Sequence, residues 1–219
     1  MRGFLFLFVD SIQKKSIFVK NIHMSSRDLF MNNSHRLNVN IMNYYYFTKA
    51  FTDTEIEEIK RLASNEIIQQ AVTGQGTVSN YRKSDVCWFD ETNETEWLFD
   101  KISNYAISAN KDLYNFDIWG FPDNLQYTIY HGNGGHYDWH VDLGPGMSNR
   151  KLSVVLQLTG PDEYEGGDLE INVGDGIYKV PKEKGLLCFF PSFLLHRVTP
   201  TTSGTRISLV TWLGGNNFR

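Results

Sequence analysis

Cysteine is scarce in this chain. Cys87 and Cys188 are the two that occur among 219 residues, which excludes a disulfide-rich scaffold and a cysteine-based zinc site. Cys188 lies in the apolar run Gly-Leu-Leu-Cys-Phe-Phe at 185–190, so we predict a buried side chain. So few cysteines are typical of a protein kept in a reducing compartment, and we expect a cytoplasmic location.

Long hydrophobic runs, internal repeats and a strong net charge are also absent. The apolar stretch 3–9 stops at Asp10 and is too short to span a bilayer. It also lacks the longer apolar core and the small-residue cleavage site of a signal peptide. The net charge of −4 argues against a general polyanion binder. We therefore expect neither a membrane nor a nucleic acid as a partner.

The first 41 residues differ in charge from the rest of the chain. They hold six lysines and arginines but two acidic residues, whereas acidic residues are in excess beyond them. We predict a poorly ordered N-terminal extension over 1–41, with a cleaved or membrane-touching segment as the alternative. One domain is predicted over 42–219, a length that suits a single core.

Two helices are predicted before residue 120 and short strands after it. Thr52 and Glu55 have the spacing of a capping box, and apolar positions at helical spacing predict helices over 52–70 and 94–111. An edge strand is predicted over 44–51. Alternating runs separated by glycine, proline and aspartate indicate a jelly roll over about 120–214; the predicted strands are 124–131, 137–142, 151–158, 168–172, 177–180, 186–190, 194–199 and 206–213. The predicted fold is α+β, a double-stranded β-helix with both helices packed on one sheet.

Three residues have the pattern of a metal site. His140 and Asp142 are two apart in a predicted strand, where alternate residues face the same side. His196, in a later strand, completes a set of two imidazoles and one carboxylate. Non-haem iron(II) oxygenases use this set because it leaves coordination positions open. Each residue alone is a weak signal, but the combination is specific.

Arg206 is predicted to bind a dicarboxylate cosubstrate. It lies in the apolar run Thr-Arg-Ile-Ser-Leu-Val-Thr-Trp at 205–212, and a buried arginine is rare unless it is paired. A carboxylate would pair it through two parallel hydrogen bonds. Ser208 lies on the same face of the strand and can add a hydroxyl group.

From about residue 82 to 214 the chain resembles the prolyl 4-hydroxylase superfamily, and most closely the bacterial PKHD-type hydroxylases. The motifs are Tyr-Asp-Trp-His-Val-Asp at 137–142, Glu-Tyr-Glu-Gly-Gly-Asp-Leu at 163–169, Phe-Pro-Ser at 190–192, His-Arg-Val-Thr-Pro at 196–200 and Gly-Thr-Arg at 204–206. The resemblance implies iron(II), 2-oxoglutarate and O2, with ascorbate assisting turnover.

The resemblance also implies roles for single residues. The iron ligands of the family fall on His140, Asp142 and His196, and its cosubstrate anchor falls on Arg206. A family tyrosine that reaches the cosubstrate falls on Tyr130, although this ring could instead only fill the barrel. Where the oxygen-sensing members have a second such tyrosine, this chain has Gln157, whose amide can still donate a hydrogen bond.

The predicted activity is hydroxylation of a C–H bond by a 2-oxoglutarate-dependent dioxygenase, with a prolyl residue in a peptide or protein as the favoured target. A free amino acid or another small metabolite is the alternative, and a different oxidation by the same site stays open. A non-catalytic metal-binding barrel or a metal-dependent hydrolase would leave Arg206 unexplained. Nucleic-acid demethylases of the superfamily have a second arginine where this chain has Trp212, which argues against that activity.

Two basic pairs have two interpretations each. The pairs Arg82–Lys83 and Arg150–Lys151 could border a substrate groove or face solvent.

Overall fold

The computed structural model describes residues 44–72 and 80–217. The predicted extension 1–41 lies outside the described residues, so the domain boundary near residue 42 stays a prediction. Within the described ranges, none of the helices has both the length and the apolar character needed to cross a bilayer.

Helix α1 spans Asp53–Ser64 and begins with the predicted capping box. The Thr52 hydroxyl accepts from the Glu55 backbone N–H, and the Glu55 carboxylate accepts from the Thr52 N–H, so two N–H groups at the helix end are satisfied. The prediction of a helix to residue 70 is wrong at the C-terminal end. Serine and asparagine at 64–65 favour a helix end, and Gln69–Gln70 form strand β2.

Helix α2 spans Glu96–Ala109 and continues into a π-helical turn, Asn110–Tyr114. Asn115 ends it in the left-handed conformation, with φ of 51°, which asparagine tolerates better than most residues. The Tyr114 hydroxyl donates to the Phe189 carbonyl oxygen at 2.9 Å. This bond fixes the end of the helical segment against the sheet below it.

The strands form two antiparallel sheets that share their longest strand. In the major sheet the order is β1-β12-β8-β13-β6-β4-β2, with β5 also on β13. In the minor sheet the order is β11-β10-β13-β7-β3, with β9 also on β13. The strands are β1 Tyr45–Phe47, β2 Gln69–Gln70, β3 Arg82–Lys83, β4 Asp85–Phe89, β5 Ile118–Gly120, β6 Leu125–His131, β7 Gly135–His140, β8 Arg150–Gln157, β9 Tyr164–Gly166, β10 Leu169–Asn172, β11 Ile177–Lys179, β12 Leu187–Pro191 and β13 Leu195–Gly215.

Strand β13 joins the sheets and corrects the prediction of two separate strands over 194–199 and 206–213. Its first part pairs with β7 and β10 in the minor sheet, and its second part pairs with β6 and β8 in the major sheet. Register shifts between His196 and Ser203 bend the strand, as bulges do. One strand therefore carries both His196 and Arg206 into the space between the sheets.

The two faces of the major sheet have different partners. Leu152, Val154 and Leu156 of β8 point into a cluster shared with both helices. Val155 and the buried Cys188 face the other way, into a second cluster between the sheets, because neighbouring strand residues alternate. Each buried aliphatic side chain contributes about 1.5–3 kcal/mol. The predicted α+β jelly roll, with helices on one sheet, is confirmed.

Candidate metal centre

The two histidines of the predicted metal site lie opposite each other on paired strands. His140 is the last residue of β7 and pairs with His196 near the start of β13. Asp142 was predicted on the same strand as His140 but lies two residues beyond its end. Its backbone N–H donates to the Ser192 carbonyl oxygen at 2.9 Å, and this bond still directs the carboxylate between the two imidazoles.

The three side chains form a compact set of ligand atoms. Nε2 of His140 lies 3.7 Å from Oδ1 of Asp142, and Nε2 of His196 lies 3.5 Å from Oδ2. One ligand atom from each residue falls within 4.8 Å of the others. Nδ1 of His140 bonds the Asp138 carbonyl oxygen at 2.7 Å, and Nδ1 of His196 bonds that of Leu194 at 2.9 Å. Because a carbonyl oxygen accepts, both Nδ1 atoms carry a proton, and the two Nε2 atoms are the ring nitrogens that face the centre.

Burial sets the charges of this group. It lowers the pKa of His140 to about 3, and the neighbouring His196 acts in the same direction. Burial alone would raise the pKa of Asp142, but His196, His140 and a hydrogen bond from Ser153 bring it below its ordinary value. Around neutral pH His140 is therefore neutral and Asp142 is an anion, the protonation states that a metal requires.

Ser153 supports the Asp142 carboxylate. Its hydroxyl, fully buried on β8, donates to Oδ2 at 2.5 Å and lies 3.1 Å from the Ser192 hydroxyl. The sequence did not single out Ser153, because its relation to Asp142 depends on the pairing of β8 with β12. The alternation of small polar and aliphatic residues in β8 was the available signal.

Arg206 lies deeper between the sheets, and 2% of its surface is exposed. Its Nη1 donates to the Ser208 hydroxyl at 3.2 Å, and its guanidinium carbon lies 5.2 Å from the Tyr130 ring centre. Across the described residues, no carboxylate forms an ion pair with it. A buried guanidinium is costly without an anion, so this position fits a ligand carboxylate.

Gln157 and Tyr164 lie beside this arginine. The Gln157 amide donates to the Tyr164 hydroxyl at 3.0 Å and is also within reach of the Thr159 carbonyl oxygen. Burial raises the pKa of Tyr164, although Arg206 nearby opposes the shift. The Tyr164 hydroxyl therefore keeps its proton and can donate it. The sequence assigned no role to Tyr164, because the short strand β9 was not among the predicted strands.

A cavity of about 290 Å³ connects the metal centre with Arg206. Tyr130 and Ser208 also line it, whereas Gln157 lines a small neighbouring cavity that Arg206 also borders. Two buried arginines, Arg82 and Arg150, also line it, one from each of the basic pairs that the sequence placed either at a groove or in solvent. The Tyr137 ring lines it as well and stacks on the His140 ring at 3.5 Å between centres. Lys83 and Lys151 do not line this cavity. In each basic pair, the arginine therefore lines the cavity and the lysine does not.

Comparison with known proteins places this geometry in a family. The model of the "2OG-Fe(II) oxygenase superfamily" matches residues 125–214. A PKHD-type hydroxylase of Acidovorax ebreus is 38% identical over 174 residues, which cover 75% of each protein. The chain belongs to the 2OG-Fe(II) oxygenase superfamily. A PKHD-type hydroxylase of Teredinibacter turnerae is 41% identical over 87 residues. That match spans 38% of the relative's length, and a match to one of Alteromonas mediterranea spans 37%.

Solved structures show the same fold. A prolyl hydroxylase of Trichoplax adhaerens, in complex with a hypoxia inducible factor oxygen degradation domain peptide fragment, superposes with a TM-score of 0.68 at 18% identity, over 80% of this chain and 84% of that one. A prolyl-4-hydroxylase of Pseudomonas putida gives 0.64 at 20% identity, over 80% and 94%. Membership in the superfamily implies a 2-oxoglutarate-dependent dioxygenase that uses iron(II), 2-oxoglutarate and O2.

The residues present fit the implied metal and cosubstrate. Two imidazole nitrogens and a carboxylate are a suitable donor set for iron(II), and they lie close enough to share one ion. Arg206, which forms no ion pair with any of the described residues, suits the far carboxylate of 2-oxoglutarate. Both features face one cavity, as a ligand that bridges them would require.

Proposed function

We propose that this oxygenase hydroxylates a C–H bond of a prolyl residue in a peptide or protein, with decarboxylation of 2-oxoglutarate to succinate and CO2. The names of the PKHD-type relatives support hydroxylation. The fold shared with the peptide-bound Trichoplax prolyl hydroxylase supports a peptide target. A free amino acid or another small metabolite is the alternative substrate.

One observation carries the proposal. Arg206 is 2% exposed, has a hydroxyl as its hydrogen-bond acceptor, and lines the same cavity as His140, Asp142 and His196. A metal-binding module without a cosubstrate would gain nothing from an unpaired buried cation, because its desolvation costs several kcal/mol. A site that takes up a dicarboxylate gains the missing counter-charge when it binds.

In this proposal each residue has a defined task. His140, Asp142 and His196 hold iron(II), and the carbonyl groups bonded to both Nδ1 atoms keep the rings oriented. Arg206 binds the far carboxylate of 2-oxoglutarate by two hydrogen bonds. Ser208, Tyr130, Gln157 and Tyr164 are the hydroxyl and amide groups that surround this carboxylate.

The metal and the cosubstrate together supply the redox chemistry, in which O2 is reduced, 2-oxoglutarate is oxidatively decarboxylated and one oxygen atom enters the substrate C–H bond. The chain itself positions the reactants and excludes water. Val155, Leu169 and Val198 line the cavity with apolar surface, which keeps the reacting centre dry.

Succinate formation tests the proposal. Protein loaded with iron(II) without oxygen is exposed to O2, 2-oxoglutarate and ascorbate, with and without a pool of proline-containing peptides. We expect succinate formation that rises with the peptides and falls at least about a hundredfold in His140→Ala and Arg206→Ala, which remove a metal ligand and the carboxylate anchor. Mass spectrometry of the pool should show a gain of one oxygen atom.

His131→Ala is the matched control. This histidine is exposed and pairs with Asp85 at 2.9 Å, so its loss should leave turnover unchanged. Turnover that ignores the peptides but rises with free amino acids would move the target to a small molecule. A folded, iron-loaded protein that forms no succinate with either would contradict the proposed function.

A further inference from the structure

The cavity wall contains three arginines that are almost fully buried: Arg82 and Arg150 are each 8% exposed, and Arg206 is 2% exposed. Arg150 has its counter-charge, since Nε donates to Asp123 at 2.9 Å. Arg206 obtains one from 2-oxoglutarate under the proposed function. Arg82 is then the buried cation for which neither the described residues nor the cosubstrate supplies an anion.

The protein contacts of Arg82 are neutral. Its Nε donates to the Ser84 hydroxyl and one Nη donates to the Gln126 side-chain oxygen, both at 2.9 Å. That oxygen also accepts from the Thr128 hydroxyl at 3.2 Å, so two donors share this one acceptor atom. In the described part of the chain, Arg82 forms no ion pair. These bonds fix the direction of the guanidinium group but do not neutralise it.

Arg82 lies close to the metal centre and reaches the cavity from a different strand than Arg206. Its guanidinium carbon is 4.7 Å from the centre of the Tyr137 ring, which in turn stacks on His140. It extends from β3 at the edge of the minor sheet, whereas Arg206 extends from β13 beside Tyr164. A carboxylate held by Arg82 would therefore lie one aromatic ring away from a metal ligand.

We propose that Arg82 binds a carboxylate of the substrate. The substrate class is then an amino acid with a free carboxylate or a peptide with an acidic group near the hydroxylated carbon. This inference rests on the proposed function, because it assigns the cosubstrate to Arg206. An arginine suits the role because its planar donor fork matches a carboxylate, and a bond to a charged group is worth about tenfold or more in affinity.

Binding without turnover tests this inference. The protein is loaded with Mn(II) and N-oxalylglycine, an inert analogue of 2-oxoglutarate, so that the Arg206 end is filled. Two pairs of probes follow: free L-amino acids against their carboxamides, and capped peptides that contain glutamate against the same peptides with glutamine. Fluorescence of Trp88 and Trp212, which line the cavity, reports binding. We expect the carboxylate member of at least one pair to bind about tenfold tighter.

The variants locate the effect. In Arg82→Gln, the two probes of a pair should bind with about equal affinity. Arg82→Lys should keep part of the preference for the carboxylate probe. Lys83→Gln removes the same charge one residue away, outside the cavity, where Nζ donates to the Asn133 carbonyl oxygen, and should behave as wild type. Mn(II) and N-oxalylglycine binding by each variant shows that it is folded.

The outcomes separate the two proposals. Tighter binding of free amino acids than of their carboxamides would identify a free α-carboxylate as the group that Arg82 binds. Tighter binding of the glutamate peptides than of the glutamine peptides would identify an acidic side chain instead. Both results support the inference. No preference in either pair, or a preference that survives Arg82→Gln, overturns it. Wild-type protein that fails to bind Mn(II) and N-oxalylglycine would instead contradict the proposed function.

Discussion

Ser153 shows how a single hydroxyl can control the proposed metal centre. Its bond to Oδ2 of Asp142 orients the carboxylate and stabilises the anion. We expect Ser153→Ala to weaken Mn(II) binding about tenfold to a hundredfold, the usual effect of losing a group that orients a ligand. Isothermal titration calorimetry of the metal-free protein measures this.

The control for Ser153 is Thr211→Val. The Thr211 hydroxyl is also buried, and it has no hydrogen-bond partner among the described residues, so Mn(II) affinity should not change. Equal Mn(II) affinities for wild type and Ser153→Ala would contradict the supporting role of Ser153.

The protonation of His140 predicts how stability depends on pH. Burial lowers its folded-state pKa to about 3 from 6.5, so between these values the unfolded chain binds a proton that the folded chain does not. The free energy of unfolding should therefore fall as the pH drops from 6.5 towards 3, by at most about 1.4 kcal/mol per pH unit. Asp142, whose folded-state pKa is also lowered, adds a loss below its ordinary pKa of 3.8.

Urea denaturation of the metal-free protein between pH 4 and 7 measures this dependence. His140→Gln should flatten the profile, because glutamine does not titrate. An unchanged profile in His140→Gln would show that other groups cause the pH dependence.

At the scale of single elements, the start of α1 depends on its capping box. Thr52→Ala removes the hydroxyl that accepts from the Glu55 N–H and should lower the free energy of unfolding by about 1 kcal/mol. Thr54→Ala, in the same exposed turn, removes a hydroxyl with no capping role and should change stability little. Urea denaturation compares the two variants, and equal losses would contradict the assignment.

The bend that precedes the second half of β13 depends on Gly204, which lies within the strand. Its φ is +67°, and an added Cβ would lie 2.0 Å from the Glu163 carbonyl oxygen, so the backbone would have to move. We expect Gly204→Ala to cost about 2 kcal/mol or more and to weaken 2-oxoglutarate binding, since Arg206 follows two residues later. Ser203→Ala is the control; a Gly204→Ala protein of wild-type stability would contradict this view.

At the scale of the whole molecule, ligand binding and stability should be coupled. The cavity inside the core contains Arg82 and Arg206, which form no ion pair within 44–72 and 80–217. Mn(II), and N-oxalylglycine in its presence, should each add about 2.7 kcal/mol to the free energy of unfolding when each is at a hundred times its dissociation constant. Arg206→Ala should lose the part due to N-oxalylglycine but keep the part due to Mn(II). Thermal denaturation at several ligand concentrations measures this, and a midpoint that does not depend on concentration would contradict it.

The sequence by itself determined the family, the jelly roll and the set of candidate site residues. Strand residues alternate and metal ligands recur at fixed spacings, so His140, Asp142, His196 and Arg206 could be found from local patterns. The roles assigned to these residues stay predictions, but the structure does bring all four to one cavity. Capping chemistry also located the start of α1, because it involves residues three apart.

Tertiary structure alone decided which distant side chains meet. Strand pairing across tens of residues places the Ser153 hydroxyl on Asp142 and brings Tyr164 to Gln157. The same pairing leaves Arg82 without an ion pair within the described residues. The continuity of β13 was equally hidden, because its polar middle segment resembles a loop until strands from both sheets pair with it. Local sequence encodes the chemistry of each side chain, whereas its partners follow from register, which the folded sheets fix together.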